Sequence, residues 1–289
     1  MFYLYAIGSM LGYALQNALL AQHARKMDGL SLAFYRNISF TFTLLPLLIG
    51  TSVAEISIVL SHWVLLLMAG IMGGLYLGTF YMSYRYLPVG IAGALSRAFM
   101  TVLLTIVGWV FLGDRLSPAA LAIILIIIAG SLLLGLTKNA HAHLRDHLFL
   151  GIALTVLAAI FLTATNYTPA VLSRIANPLV SGYFWELSIA IGSGILLLLR
   201  WMTIRVPMAL IDARTFLSIA LCSLPTLIGT GLFTLATRMG PVAIVTAIGS
   251  AQLVLLSFLG VRLYREHLKT VQWFAISLIL AGVIGLKFV

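Results

Sequence analysis

Residues 87–134 read LPVGIAGALSRAFMTVLLTIVGWVFLGDRLSPAALAIILIIIAGSLLL, and residues 239–286 read MGPVAIVTAIGSAQLVLLSFLGVRLYREHLKTVQWFAISLILAGVIGL. One ungapped shift of 152 positions aligns Gly108 with Gly260, Asp114 with Glu266, and Ala129-Gly130 with Ala281-Gly282. Each copy is an apolar run, a charged hinge carrying one acid, and a second apolar run that ends in Ala-Gly. If each half of the chain holds an odd number of membrane spans, the second half enters the bilayer from the opposite face. Two inverted halves around one midplane site is an arrangement suited to alternating access.

Composition points to the bilayer. Hydrophobic residues fill 62% of the 289 positions and charged residues 8%, against soluble averages of roughly 45–50% and about 25%. A soluble chain of this make-up could not cover its surface. The net charge of +10 comes mostly from hinges between apolar runs, as membrane-flanking Lys and Arg would give. No basic stripe interleaved with aromatics exists, so a nucleic-acid partner is not expected. The lone Cys222 has no disulfide partner. The first apolar run starts almost at Met1 with no basic n-region or cleavage site, and reads as a retained helix.

A hydrocarbon core about 30 Å thick needs roughly 20 apolar residues per helix. Ten runs qualify: 2–21, 31–50, 60–86, 88–112, 118–137, 148–168, 178–200, 213–237, 240–263 and 270–288. Helices pair every backbone amide within lipid, and none of these runs shows barrel-like alternation. The expected fold is therefore an all-α integral membrane protein of ten transmembrane helices, in two inverted five-helix repeats. Residues 1–137 form the first repeat, 138–147 (KNAHAHLRDH) the connecting hinge, and 148–289 the second. The expected location is a cell membrane crossed many times, the prokaryotic inner membrane in particular.

Within the runs, Gly70, Gly74 and Gly78 fall on one helix face and predict a close packing seam. Pro225 lies inside its run and predicts a kink. Orientation is contested by the charges. With the termini in the cytoplasm, inside segments would hold four Lys and Arg and outside hinges eleven, so charge favours termini outside.

The hinge motifs Gly113-Asp114-Arg115-Leu116 and Arg265-Glu266-His267-Leu268, each followed by a helix ending in Ala-Gly, resemble the drug/metabolite transporter superfamily. So do the short turns Tyr86-Leu87-Pro88 and Met239-Gly240-Pro241. The likeness is to its ten-helix EamA-type members. It implies a 5+5 inverted repeat, with a cavity lined by spans 1, 3, 4, 6, 8 and 9, and with termini in the cytoplasm. Two positions where the family carries a mid-span proline are Thr101 and Leu253 here. The resemblance implies transport of a small molecule and leaves the cargo open.

Few ionisable groups lie deep within runs. Arg97 and Glu186 do, each at a cost of about 2.5–3.5 kcal/mol at a helix centre, which argues against an idle role. They read either as a structural pair locking two helices or as contacts for cargo or a coupling proton. Arg36 and Arg85 lie nearer helix ends and read as snorkelling to the interface. Tyr13, Gln16 and Asn17 in the first run, Asn166 in the sixth and Gln252 in the ninth are candidate cavity residues. The Gln and Asn amides are not easily satisfied by their own helix, whereas Thr163, Thr165, Thr226 and Thr230 can back-bond. Trp185 beside Glu186, with Tyr81 and Phe233, could box an ammonium group.

His141, His143 and His147 have weak metal spacing in a solvated hinge, and no metal or cofactor is expected. No nucleophile elbow, phosphate loop or HExxH motif appears, so an enzyme is not expected. The leading expectation is a secondary transporter of a small polar metabolite, an amino acid or related zwitterion, whose partners are that substrate, membrane lipid and a coupling proton. An organic cation or organic anion carrier is the alternative. A lipid-intermediate flippase or a non-transporting scaffold is the alternative of another class.

Overall fold

The computed structural model describes residues 1–24, 26–83, 86–87, 89–136, 148–264 and 269–288. It is built of helices, with no strand among the described residues. In order these are α1 (Phe2–Ala24), α2 (Gly29–Thr43), α3 (Val53–Ser61), α4 (Trp63–Ser83), α5 (Val89–Phe111), α6 (Pro118–Leu136) and α7 (Leu148–Ile175). Then follow α8 (Pro178–Ile204), α9 (Ala213–Ser223), α10 (Thr226–Met239), α11 (Val242–Ser250), α12 (Gln252–Tyr264) and α13 (Thr270–Gly285). Single 3-10 turns cover Leu45–Leu48 and Leu286–Phe288.

Among the described residues, seven stretches are long and apolar enough to cross a bilayer: Trp63–Ser83, Ala92–Phe111, Phe149–Ile175, Pro178–Ile204, Ala213–Met239, Val242–Leu259 and Thr270–Phe288. The other three apolar runs of the sequence are occupied by α1, α2 with its 3-10 turn, and α6. Large apolar side chains face outward, among them Trp109, Phe111 and Phe149, at 71%, 69% and 85% exposure. A surface this apolar suits lipid and not water.

Several boundaries differ from the sequence reading, each for a local reason. A capping box at Ser52 and Glu55 starts α3 ahead of the third run, because the two side chains satisfy each other's backbone amides. The sixth run does not end at 168: α7 continues through Pro169 to Ile175. Pro225 does more than kink its run. The helix stops at Ser223 and restarts at Thr226, since proline cannot donate the amide that continuity needs. The ninth run also breaks, at Ala251 between α11 and α12, with no proline present.

The glycine seam holds in part. A Cβ on Gly192 would lie 2.1 Å from the Gly70 carbonyl carbon, and one on Gly74 would meet the Ser193 backbone at 3.2 Å. Backbones of α4 and α8 therefore touch directly, an approach that only glycine allows. Gly78, by contrast, has nothing nearer than Leu30 Cδ1 at 3.9 Å.

The helix ends fall on two faces. On one, the Tyr3 hydroxyl donates to the Leu286 carbonyl, so the two terminal segments meet on the same side. Asp114 and the ends of α7 and α10 share that face, here termed the Asp114 face. The opposite, Asp28 face gathers the end of α1, the start of α2, and the ends of α4 and α8. The hinge histidines 141, 143 and 147, Arg85, and the Arg265–Leu268 motif lie outside the described residues.

Candidate functional site

One cavity of about 780 Å³ lies among α1, α2, α4, α5, α7, α8, α10, α11 and α12. Its lining runs from Ala6 and Phe233 in the interior to Met27, Asp28, Met82 and Arg200, so it reaches the Asp28 face. All ten side chains singled out from sequence line it: Tyr13, Gln16, Asn17, Tyr81 and Arg97, together with Asn166, Trp185, Glu186, Phe233 and Gln252.

Arg97 and Glu186 do not form an ion pair. Ion pairs among the described residues are Arg174–Asp114 and Arg200–Asp28, and the two cavity charges are each held by neutral groups. Glu186, buried to 2% exposure, accepts from Asn37 Nδ2 at 3.1 Å and from Thr230 Oγ1 at 2.8 Å. Tyr13 Oη lies 2.9 Å from the same Thr230 hydroxyl. Because threonine has one proton and gives it to the carboxylate, Tyr13 must donate to Thr230. A directed chain therefore runs from Tyr13 through Thr230 to Glu186.

Arg97 is met by Gln252. An arginine is donor only, so the amide atom facing it must be the oxygen. That oxygen accepts from Nη2 at 2.8 Å and Nε at 2.5 Å. Asn17 sits 3.5 Å from the same amide. By the same logic the Gln16 oxygen accepts from Arg36 Nη2 at 3.0 Å, while its nitrogen donates to Thr226 at 3.1 Å. Gln16 thereby ties Arg36 to the restart of the helix broken at Pro225.

Arg36 corrects the sequence reading. It does not snorkel outward but lines the cavity, with its guanidinium 5.1 Å from the Phe40 ring centre. Distance along the chain suggested a helix end, but the side chain points across the bundle to Gln16. Asn166 is a second correction, since its Nδ2 donates to its own helix at the Leu162 carbonyl, 2.7 Å away. The aromatic box is only partly assembled. Trp185 and Phe233 stack with centres 5.8 Å apart, and Trp185 Nε1 donates to Thr165. Tyr81 packs instead beside Gly29 at the cavity mouth.

The Asp114 face is shut by a knot that the sequence did not reveal. Arg174 Nη2 donates to Asp114 Oδ1 at 2.8 Å, and its other nitrogens reach the Leu112 and Thr237 carbonyls, each at 3.2 Å. Asp114 Oδ2 accepts from the Val242 amide at 2.8 Å, at the first turn of α11, where a negative charge is favoured by the helix dipole. Gly113 supplies a left-handed φ of 68°, which no larger residue adopts easily, and turns Asp114 inward. The hinge acid of the repeat is thus a clamp joining α5, α7 and α11.

Comparison with known proteins now has a geometry to meet. Residues 1–136 match the model of the EamA-like transporter family. The match stops at the end of α6, so it covers a little under half of the chain. This bears out the resemblance to EamA-type drug/metabolite transporters, and with the apolar helices it marks a multi-pass membrane protein. A solved structure titled "Crystal structure of protein" covers 99% of this chain and 96% of its own, with TM-score 0.74 and 18% identity. The chain shares that fold over nearly its whole length. No curated protein matches it.

Proposed function

We propose that this EamA-like transporter is a secondary carrier of a small polar metabolite, an amino acid or related zwitterion. In this reading all ten apolar runs cross the membrane as two inverted halves, 1–137 and 148–289, joined by the 138–147 hinge. The halves rock about the central cavity, in a cell membrane such as the prokaryotic inner membrane. The observation that carries the proposal is a polar cavity deep in an apolar bundle, bearing arginine and glutamate held apart from each other. Charges in that setting need a partner or water. Arg97 meets the carboxylate of the cargo, and Glu186 meets its ammonium group or a coupling proton, delivered along the Tyr13–Thr230 chain.

The constant repeat and the meeting of both terminal segments on one side support an even span count with inverted halves. The closed Asp114 face and the cavity reaching the Asp28 face fit one end state of alternating access. A scaffold would have no reason to maintain such a cavity. An organic anion remains the second reading, favoured because two arginines and one glutamate line the site inside the Arg200–Asp28 pair of the rim.

Reconstitution of the purified protein in liposomes tests this. Arg97→Ala and Glu186→Gln should each melt like the parent while uptake of amino acids falls by about 100-fold or more, the scale of losing a buried charged contact at 3 kcal/mol. Undiminished uptake in both variants, or no amino acid uptake by the parent, overturns the proposal.

A further inference from the structure

We infer that the cargo is an acidic amino acid, with Arg36 holding a second carboxylate that a neutral zwitterion lacks. The inference rests on the amino-acid reading above and narrows it. Apart from the Arg200–Asp28 ion pair at its rim, two guanidinium groups and one carboxylate line the cavity: Arg36, Arg97 and Glu186. Among the described residues neither guanidinium forms an ion pair: Arg36 is met by Gln16 and Arg97 by Gln252, with Arg36 and Glu186 attracting each other only at longer range. A glutamine oxygen orients an arginine but leaves its full charge in place, so both cations stand ready for an anion.

A third feature points the same way. Ser96 is 1% exposed and lines the cavity, yet its hydroxyl has no hydrogen-bond partner among the described residues. A buried polar group without a partner is costly, and a carboxylate drawn to α5 by the neighbouring Arg97 supplies one once the hydroxyl turns to the cavity. On the other side, Glu186 accepts one hydrogen bond at each oxygen from Asn37 and Thr230. Each oxygen retains a lone pair for an ammonium donor. The complement of two cations, one anion and an orphaned hydroxyl is a molecule with two carboxylates and one ammonium group. A cavity of about 780 Å³ accommodates such a molecule with water around it.

The roles divide by residue. Arg97 and Ser96 take the carboxylate common to all amino acids, and Glu186 takes the ammonium. Arg36, held by Gln16 and not by Gln252, is left to decide between acidic and neutral side chains. Sites that hold a charged group reject analogues lacking it more strongly than apolar pockets reject a missing methylene.

The test is binding by titration calorimetry to the full chain in detergent, with L-aspartate, L-glutamate, L-alanine, L-lysine and succinate as probes. An acidic amino acid should bind at least about tenfold more tightly than alanine, a difference of 1.4 kcal/mol. Arg36→Gln should erase that ratio, bringing the affinity for aspartate down to that for alanine. Alanine or lysine binding as tightly as aspartate would overturn the inference and leave the amino-acid proposal standing. Succinate matching aspartate would overturn the assignment of Glu186 to an ammonium group, and with it the acidic amino acid. If none of the amino acids binds, the underlying amino-acid reading fails first. Should Arg36→Gln not fold, the parent's ratio of aspartate to alanine decides alone.

Discussion

Both faces of the bundle carry an aspartate paired with an arginine at 2.8 Å, yet one face is shut and the other open. The chemistry is the same; the placement differs. Asp114 is reached by α7 through Arg174 and by α11 through the Val242 amide, so three segments from both halves of the chain converge on one carboxylate. Asp28 caps its own helix through the Ser31 amide and binds Arg200 at the end of α8. That pair fastens the rim and leaves the middle of the face free. An ion pair seals a helix bundle when it draws together helices from both halves of the chain, and only trims it when it lies at the edge.

The largest expected effect follows from breaking the seal. Asp114→Ala strands Arg174 and frees the Val242 amide. Losing one member of a largely buried pair costs about 3 kcal/mol. The melting temperature should fall, and amide exchange at Val242 should quicken relative to α13. Arg174→Ala should do the same, because it removes the other side of the contact. Variants that melt like the parent with unchanged exchange would show that packing alone holds this face.

The helix α4 spans both regions and allows a finer test. Towards the sealed side, Gly70 meets Gly192 backbone to backbone, with no room for a methyl group. Near the mouth, Gly78 lines the cavity with its nearest neighbour at 3.9 Å. Gly192→Ala should therefore cost about 1–3 kcal/mol through overpacking. Gly78→Ala should leave the melt unchanged or raise it slightly, as Ala favours a helix. Equal losses at both sites, read by thermal melting, would mean that the mouth is packed as tightly as the seal.

Sequence conveyed the parts that depend on local order. The repeat, the apolar runs and the break at Pro225 follow from spacing and from proline chemistry, and side chains too polar for lipid were bound to share a cavity. What it withheld depends on partners distant along the chain. Asp114 and Arg174 lie 60 positions apart, and nothing in either neighbourhood names the other. Arg36 was misread because depth along a helix does not say which way its side chain points. The orphaned hydroxyl of Ser96 needed a packed structure to appear at all, since a serine in a helix usually bonds its own backbone. The break at Ala251 has no local signal of the kind that Pro225 provides.

The smallest effect is expected at the rim. Asp28→Asn keeps a residue that can still cap α2, because asparagine accepts from the Ser31 amide as aspartate does. It removes only the charge on Arg200, whose side chain is 20% exposed against 30% for Asp28. Pairs this open to solvent contribute about 0–1 kcal/mol. Burial alone would raise the Asp28 carboxyl, but the hydrogen bonds from Ser31 and Arg200 and the Arg200 charge outweigh it and hold the group below its ordinary 3.8. A folded value below the unfolded one means that the contribution is complete above that ordinary value and fades as the pH falls through the lower, folded value. Parent and Asp28→Asn should therefore differ slightly in melting temperature at neutral pH, and the gap should close on acidification below about pH 4. Raised salt should narrow it as well, since exposed charges are screened. A gap as large as that of Asp114→Ala, or one that persists in acid, would place Asp28 among the groups that seal the bundle and undo the contrast between its two faces.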